Sequence, residues 1–501
     1  MPAKDERIKN NLISSLVYQA VLISVSFLLP KLYIENFGSE INGVLNTIKQ
    51  IFTYLCLLES GVGLATTQAL YKRIGEKDYK NASAVLSATN SYYIKTGIVY
   101  TLIVLVIAFV YSFLIDTPIS SAVLFSLIIL NALPSLFSYF VQAKYRILME
   151  VDGRKYVLNN AETVLQLASN IGKMLVLILT ESLILIQLVY CLISLIQLTF
   201  LYFYAKKRYT WLNLKEKPDY TAISQKNSVL VHQLSGMVFN NTDVLLISFL
   251  CDFASVSVYS IYNLFFYQVQ NFITSIISSF TFAFGQMFNT DRARFNKMFN
   301  MYETFYIMGT FTIYTLMAVF LLPLIQIYTS KATDANYTSV PLLLLFVIMS
   351  LTAAAKLPVN GIIEYSGDFS KTRHHAIVEM IINLSISVVA IRFYGICGAL
   401  AGTIAALLYR GIVTIHYSNK RILKRSIFCT YKIIISNGAV FAVVMAILFV
   451  NSFGGLSFMQ LILKGLTHAP WIVLLYLAVN FVVSKTAFAT AFEIYREKKA
   501  K

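Results

Sequence analysis

Long apolar segments recur along this 501-residue chain, and they constrain its fold more than any other feature. A helix needs about 20 mostly apolar residues to cross the hydrocarbon core of a bilayer. Fourteen segments meet that requirement: residues 12–34, 44–69, 86–115, 120–143, 157–180, 183–205, 228–250, 256–287, 302–328, 339–364, 376–393, 397–418, 432–451 and 460–484. We therefore predict an all-α, polytopic membrane protein with about 14 transmembrane helices.

The scarcity of charge supports a membrane location. Only 13% of the residues are charged and 57% are hydrophobic, whereas about 25% of the residues in a soluble domain are charged. A soluble protein of this length must still cover its surface with polar groups, and a lipid-facing protein need not.

The basic residues predict the orientation. Cytoplasmic loops of membrane proteins carry an excess of Lys and Arg. If the N-terminus is placed inside, about three quarters of the 41 Lys and Arg residues fall in loops that face inward. Both termini are therefore predicted to be cytoplasmic. The net charge of +17 then reflects topology and attraction to membrane lipids, and we expect no nucleic-acid partner.

The longest inward loop divides the chain. We predict an N-terminal six-helix lobe at 1–206, a cytoplasmic linker at 207–227, a C-terminal six-helix lobe at 228–420, and two last helices with a cytoplasmic tail at 421–501. A shift of 217 positions places Asn46 on Asn263 and Glu162 on Glu379, which suggests a parallel repeat. Transporters built from such repeats bind substrate where the repeats meet.

Ionisable residues inside the predicted spans are candidates for function, because their burial in a membrane is costly. Glu59, Lys95 and Lys356 lie near the middle of their spans, and Lys49 lies nearer an end. A structural ion pair between Glu59 and Lys95 is one interpretation. We favour a polar cavity that is net cationic. A second set could instead extend to the lipid headgroups: Lys31, Lys49, Lys173, Arg410 and Lys485.

Polar and aromatic side chains recur at helical spacing in two spans. Residues three and four apart share a helix face. The residues that form these stripes are Asn42, Asn46, Lys49, Gln50 and Thr53 in span two, and Tyr259, Asn263, Tyr267, Gln270 and Asn271 in span eight. Facing a cavity, their amides and rings could bind sugars. Hydrogen bonding between helices is the alternative, at about 0.6 kcal/mol per contact.

Span seven is the most polar of the predicted helices. It contains His232, Gln233, Ser235, Asn240, Asn241, Thr242 and Asp243. A carboxylate beside amide and hydroxyl oxygens can coordinate Na⁺ or accept a proton, which would couple transport to an ion gradient. Asp243, with Glu59 as a second acidic residue, is therefore the ion-coupling candidate. The alternative is that Asp243 pairs with a nearby Lys.

Motifs of enzymes are absent from the sequence. There is no Walker A, HExxH or CxxC sequence, and no outward loop carries an acidic cluster. We therefore expect no catalytic residue, bound metal or cofactor apart from a coupling Na⁺ or H⁺.

Several short motifs resemble those of bacterial polysaccharide transporters, the Wzx-type flippases of the multidrug/oligosaccharidyl-lipid/polysaccharide exporter superfamily. These motifs are Leu32 to Gly43, then Ile48, Gln50, Tyr54, Leu57-Leu58-Glu59 and Gly61, Leu70-Tyr71-Lys72 with Asp78, Asn240 to Asp243, and Phe369 to Arg373. The resemblance covers nearly the whole chain in topology.

This resemblance implies two six-helix, MATE-like lobes around a cationic cavity in the bacterial cytoplasmic (inner) membrane. The implied cargo is an undecaprenyl-(pyro)phosphate-linked oligosaccharide for O-antigen, capsule or exopolysaccharide assembly. Lys49, Lys95 and Lys356 would attract its phosphate or an acidic sugar. A polysaccharide polymerase and a chain-length regulator are the implied protein partners.

Three other functions stay open at this stage. A lipid II flippase of peptidoglycan synthesis would share the fold. A cation-coupled multidrug exporter would need an acidic cavity, which the deep lysines argue against. A membrane polymerase or glycosyltransferase would need a long outward loop with carboxylates, which the sequence lacks.

Overall fold

The computed structural model describes residues 2–223, 242–366, 368–448 and 456–499. Within these ranges, the side chains that lie outside the description are those of residues 2–25, 57, 59–61, 64, 72, 275–283, 286, 289, 364, 369, 370, 373, 497 and 498. The described residues are helical or in short connections, and they contain no strand. The predicted all-α fold class is thus confirmed.

The chain forms two compact units, Met1–Asn241 and Thr242–Lys501, which we call unit 1 and unit 2. The helices of unit 1 are α1 (Pro2–Leu55), α2 (Leu57–Gly75), α3 (Tyr79–Phe113), α4 (Ser121–Phe137), α5 (Ala143–Val151), α6 (Lys155–Leu179) and α7 (Leu183–Arg208). The boundaries predicted at 206, 227 and 420 stay predictions.

Unit 2 contains the remaining helices. They are α8 (242–250), α9 (Phe253–Thr290), α10 (Arg292–Tyr328), α11 (Val340–Ala355), α12 (Leu357–Ser366), α13 (Phe369–Tyr394), α14 (Ile396–Tyr417), α15 (Phe428–Leu448), α16 (Phe458–Val483) and α17 (Lys485–Lys499).

Ten helical segments among the described residues are long and apolar enough to cross a membrane. They coincide with ten of the fourteen predicted spans. Each of the other four predicted spans, 12–34, 44–69, 228–250 and 256–287, includes residues whose side chains lie outside the described part. The chain is therefore a multi-pass membrane protein, and the count of fourteen stays a prediction.

Glycine and proline account for two interruptions inside the helices. α1 is broken at Gly38, where φ is 83°, a conformation that residues with a Cβ atom rarely adopt. This break separates the first two predicted spans. α11 ends before Lys356 and α12 begins at Leu357, next to Pro358, which has no N–H to continue a helix.

The connection after α7 lies against unit 1. Trp211 stacks on Tyr79 with ring centroids 4.6 Å apart, and Arg73 forms an ion pair with Asp219 at 3.3 Å. The Thr221 hydroxyl, neighbouring backbone N–H groups and Arg73 hold the pKa of Asp219 below its usual value. At least part of the predicted linker is therefore ordered on unit 1.

A buried ion pair fixes the beginning of α15 to α10 in unit 2. The carboxylate of Glu303 is fully buried and accepts hydrogen bonds from Arg425 Nη2 at 2.6 Å and Thr430 Oγ1 at 2.7 Å. Arg425 Nε also donates to Asn419 Oδ1 at 2.6 Å. Both carboxylate oxygens thus have partners, so the cost of burying the charge is offset.

Candidate functional site

Asp243 lies in a buried polar cluster of unit 2. It is 7% exposed, and its carboxylate accepts hydrogen bonds from the hydroxyls of Tyr259 at 3.0 Å and Thr403 at 3.2 Å. Asn383 Nδ2 in turn donates to Thr403 Oγ1 at 2.9 Å. We call these four residues the Asp243 group. Within the described residues the Asp243 carboxylate has no ion pair, so the structure supplies no lysine partner for it there.

Two glycines bring the members of this group together. Gly398 and Gly402 lie one helical turn apart on α14, and a Cβ atom at either position would overlap α13. The Gly398 Cβ would lie 2.3 Å from the Ala390 carbonyl oxygen, and the Gly402 Cβ would lie 2.2 Å from Ser387 Oγ. Small residues at this spacing let helix backbones approach closely. This approach places Thr403 beside Asn383.

The Asp243 group has unused capacity for a positive charge. Asn383 is fully buried, and its Oδ1 atom has no hydrogen-bond partner among the described residues. A buried polar atom without a partner is costly unless something else occupies its site. A carboxylate, a hydroxyl oxygen and a free amide oxygen together form a ligand set that suits Na⁺, and the carboxylate alone could take a proton.

A second charged cluster in unit 2 contains Lys356. Lys356 Nζ lies 2.8 Å from Glu379 Oε1, and Arg410 Nε lies 3.7 Å from the other oxygen of Glu379. Arg410 Nη1 also donates to the carbonyl oxygen of Thr372 at 3.1 Å. The three ionic side chains, which we call the Lys356 group, are each less than 20% exposed and carry one net positive charge.

We predict that the single acid of the Lys356 group stabilises unit 2. Replacing Glu379 with glutamine leaves two cations together without a countercharge and should cost about 1–3 kcal/mol. A lower apparent melting temperature in detergent would measure the loss. Glu40→Gln, at an exposed position, is the matched control. Equal melting temperatures for both variants would mean that the ion pairs give no net stabilisation.

Unit 1 holds a pair of lysines. Lys49 is an exposed residue of α1 and Lys173 is a partly buried residue of α6, and these two helices pack against each other. Lys173 Nζ lies 4.5 Å from the centroid of the Tyr190 ring, a cation–π contact. No described carboxylate forms a salt bridge with either lysine. We call Lys49 and Lys173 the lysine pair, and beside it Gln50 Nε2 is buried with no described partner.

The other residues predicted in unit 1 have different surroundings. Asn46 Nδ2 donates to the carbonyl oxygen of Asn42 in its own helix at 2.9 Å. Lys95 lies on an exposed face of α3 together with Ile98 and Leu102. The side chain of Glu59 lies outside the described residues, and so does its predicted pairing with Lys95.

The predicted stripe of span eight divides between two environments. Tyr259 is buried, donates to Asp243 and packs on Phe346 with ring centroids 5.3 Å apart. Tyr267 is 56% exposed. Gln270 is half-buried and accepts a hydrogen bond from the Tyr314 hydroxyl at 2.8 Å, and Asn263 is half-buried. Tyr259 therefore belongs to the Asp243 group, while Tyr267 is free to contact a ligand.

The sequence interpretation missed several members of these clusters: Asn383 and Thr403 in the Asp243 group, Glu379 and Arg410 in the Lys356 group, and Lys173 in the lysine pair. The Gly398–Gly402 spacing was a usable signal for the close approach of two helices. The sequence leaves open whether Lys173 and Arg410 extend to the lipid headgroups. The span-seven residues from His232 to Asn241 lie outside the described residues.

Comparisons with known proteins give the fold. No protein-family model matches the sequence, and no curated protein has significant similarity to it. A structure of the lipid II flippase MurJ in an inward closed conformation matches 97% of this chain and 99% of its own, with 14% identity and a TM-score of 0.60.

Two multidrug transporter structures are also similar. An inward-facing MATE family transporter of the MOP superfamily matches 83% of this chain and 99% of its own, with 12% identity and a TM-score of 0.61. The Vibrio cholerae MATE transporter VcmN in the bent form matches 88% and 99%, with 16% identity and a TM-score of 0.53. These proteins are transporters or flippases rather than enzymes. On this structural similarity, the chain has the helical fold of these three structures.

Proposed function

We propose that this protein is a flippase that moves undecaprenyl-(pyro)phosphate-linked oligosaccharide units across the bacterial cytoplasmic membrane for surface polysaccharide assembly. The lysine pair is the observation that carries the proposal. Two cations on neighbouring helices of one unit, with no described carboxylate in a salt bridge to either, favour the binding of an anion. A phosphate or diphosphate headgroup is such an anion, and Lys is a common phosphate ligand.

Polar residues of each unit suit the rest of the headgroup. Gln50 has a buried N–H donor with no described partner, and a sugar hydroxyl or a phosphate oxygen could accept its hydrogen bond. Tyr267 and Gln270 supply an exposed ring and an amide on α9. We propose that these residues contact the glycan, with Asn46 and Asn263 in supporting positions and Lys356 and Lys95 as further cations.

The Asp243 group supplies the energy coupling in this proposal. A buried carboxylate, a threonine hydroxyl and an amide oxygen without a described partner form a site for Na⁺ or H⁺. Binding a cation there lets the ion gradient drive the change between inward- and outward-facing states. Glu59 remains the second candidate for this role.

A lipid II flippase is the second candidate function, because the similarity to the MurJ structure extends further along the chain than that to the MATE structures. The match covers 97% of this chain against 83% and 88%. The lysine pair would repel a cationic drug, which argues against a multidrug exporter.

We also propose a membrane orientation and two protein partners. Both termini would face the cytoplasm, as the distribution of basic residues indicates. A polysaccharide polymerase and a chain-length regulator would receive the cargo on the outer side.

The lysine pair can be tested in a strain whose surface glycan depends on this protein. Replacing Lys49 and Lys173 together with alanine should lower the amount of surface glycan by about tenfold or more, because each charged contact contributes about 1.5–3 kcal/mol. Arginine at both positions should restore most of it. The readout is surface glycan normalised to the amount of protein in the membrane.

Lys420→Ala, at an exposed position, is the control and should leave the glycan unchanged. Lys95→Ala and Lys356→Ala test the two further cations, and each should lower surface glycan if its charge contributes to binding the cargo. Wild-type glycan in the double alanine variant would refute a phosphate-binding role for the pair. Loss of cell-wall lipid II transport in place of surface glycan would favour the second candidate.

A further inference from the structure

The last helix, α17, is docked on unit 2 through its first two turns. α16 ends at Val483, and α17 begins two residues later at Lys485. Its side chains Ala487 and Thr490 are buried. Phe488 packs on Phe305 of α10 with ring centroids 4.9 Å apart. The helix is thus held against the rest of unit 2 instead of extending freely from the last span.

Two polar contacts also join α17 to the N-terminal part of α10. Asn300 Nδ2 donates to Thr486 Oγ1 at 3.2 Å, and Lys297 forms an ion pair with Glu493. All three contacts lie between Lys297 and Phe305, in the first four turns of α10. Because α10 is a candidate membrane span and the apolar part of it begins near residue 302, α17 lies near the end of that span.

The exposed side chains of α17 include aromatic and basic residues, which we call its outer face. At 100° per residue, Lys485, Phe492, Arg496 and Lys499 fall within about 60° of one another, and Tyr495 borders them. Phe492 is 60% exposed and Tyr495 is 66% exposed. Lys485, Arg496 and Lys499 are also exposed. Glu493 points its carboxylate to Lys297, so it does not neutralise this face.

We propose that this outer face of α17 binds anionic phospholipid headgroups at the cytoplasmic surface of the membrane. Exposed aromatic rings beside Lys and Arg are typical of helices that lie in the membrane interface. The rings of Phe492 and Tyr495 enter the boundary between headgroups and acyl chains, and the three cations bind lipid phosphates. Because α17 also contacts α10, lipid binding by α17 would hold the N-terminal end of α10 at the membrane surface.

The sequence of the C-terminus supports an anionic partner. The segment 485–501 carries Lys485, Arg496, Lys498, Lys499 and Lys501 against Glu493 and Glu497. The charge distribution of the whole chain places this end in the cytoplasm, and basic segments near that surface are attracted to anionic lipids. We favour a lipid surface over an acidic cargo as the partner, because α17 follows the last span and contributes no residue to the candidate sites described above.

The test uses the full-length protein in nanodiscs of phosphatidylcholine alone or mixed with phosphatidylglycerol. Amide hydrogen exchange in peptides covering 485–499 should slow by about tenfold or more when phosphatidylglycerol is present, because each basic residue adds to the attraction. The triple variant Lys485→Gln, Arg496→Gln and Lys499→Gln should lose this slowing. In the double variant Phe492→Ala and Tyr495→Ala, amide exchange of α17 should be faster than in the wild type in both kinds of disc.

A matched variant controls for total charge. Lys80→Gln, Lys215→Gln and Lys217→Gln remove three exposed charges from unit 1, and this protein should respond to phosphatidylglycerol as the wild type does. Exchange in α13 and α14 reports on folding and should be equal in all the proteins. Equal exchange of α17 in the two kinds of disc, or a response that survives in the α17 triple variant, would overturn the proposal.

Discussion

Replacing Asp243 with asparagine is expected to abolish the ion dependence of transport. The change removes the only charged member of the Asp243 group but keeps an acceptor for the Tyr259 and Thr403 hydroxyls. A buried cation that loses its anionic partner is destabilised by about 3–5 kcal/mol. The apparent affinity for the coupling ion should therefore fall about a hundredfold or more.

Thermal stability of the purified protein measures this binding directly. If the site takes Na⁺, NaCl should raise the melting temperature of the wild type above its value in KCl, and the Asp243→Asn protein should not distinguish the two salts. If the site takes a proton, lowering the pH in KCl should give the stabilisation instead. Thr403→Val should weaken the response, and Thr403→Ser should retain it because the hydroxyl remains.

Asp252→Asn is the matched control for Asp243. Asp252 is also a carboxylate of unit 2, but it is exposed and caps α9 by accepting a hydrogen bond from the Ser255 N–H at 2.6 Å. Asparagine caps helices as well as aspartate does, so this variant should behave as the wild type. An Asp243→Asn protein that keeps the wild-type ion response would exclude Asp243 as the coupling residue.

The helices could be predicted well because the hydrophobic requirement acts on each span separately. The span predicted at 157–180 is α6, Lys155–Leu179, and the span predicted at 183–205 is α7, Leu183–Arg208. Breaks within helices were harder to place. The span predicted at 339–364 divides at Lys356, because apolarity continues past the point where Pro358 interrupts the backbone hydrogen bonds.

The candidate sites could be predicted only in part. A charge inside an apolar span is visible in the sequence, and this gave Asp243, Lys356 and Lys49. Their partners come from distant helices, as with Thr403, which lies 160 positions beyond Asp243. Sequence spacing alone does not show which faces meet.

The stripe of span eight illustrates the same limit. Tyr259 and Tyr267 are eight residues apart, which leaves their side chains about 80° apart around the helix. One of them therefore turns to Asp243 while the other is exposed. Residues at three- and four-residue spacing over three helical turns therefore cover more of the helix circumference than one binding surface. Only the packing shows which of them can face a ligand.

Glu303 is expected to contribute more to stability than any exposed charge of unit 2. Replacing it with alanine leaves Arg425 without its carboxylate partner at 2.6 Å and Thr430 without its acceptor at 2.7 Å. Removing one member of a buried ion pair costs about 3–5 kcal/mol. We expect that loss in the free energy of unfolding, measured by titration of the micelle-bound protein with SDS. Lys424→Ala, at the exposed neighbouring position, should cost far less.

A double substitution separates the charge from the packing. Glu303→Met with Arg425→Met removes both charges and keeps the volume of the side chains close to the original. Because apolar residues often replace a buried ion pair at little cost, this variant should recover most of the stability that Glu303→Ala loses. Trypsin should also cleave after Arg425 faster in Glu303→Ala than in the wild type, since Arg425 then loses its ion pair with α10. A double variant as unstable as the single one would mean that the hydrogen bonds of Arg425 to Asn419, and not its pairing with Glu303, hold α15 in place.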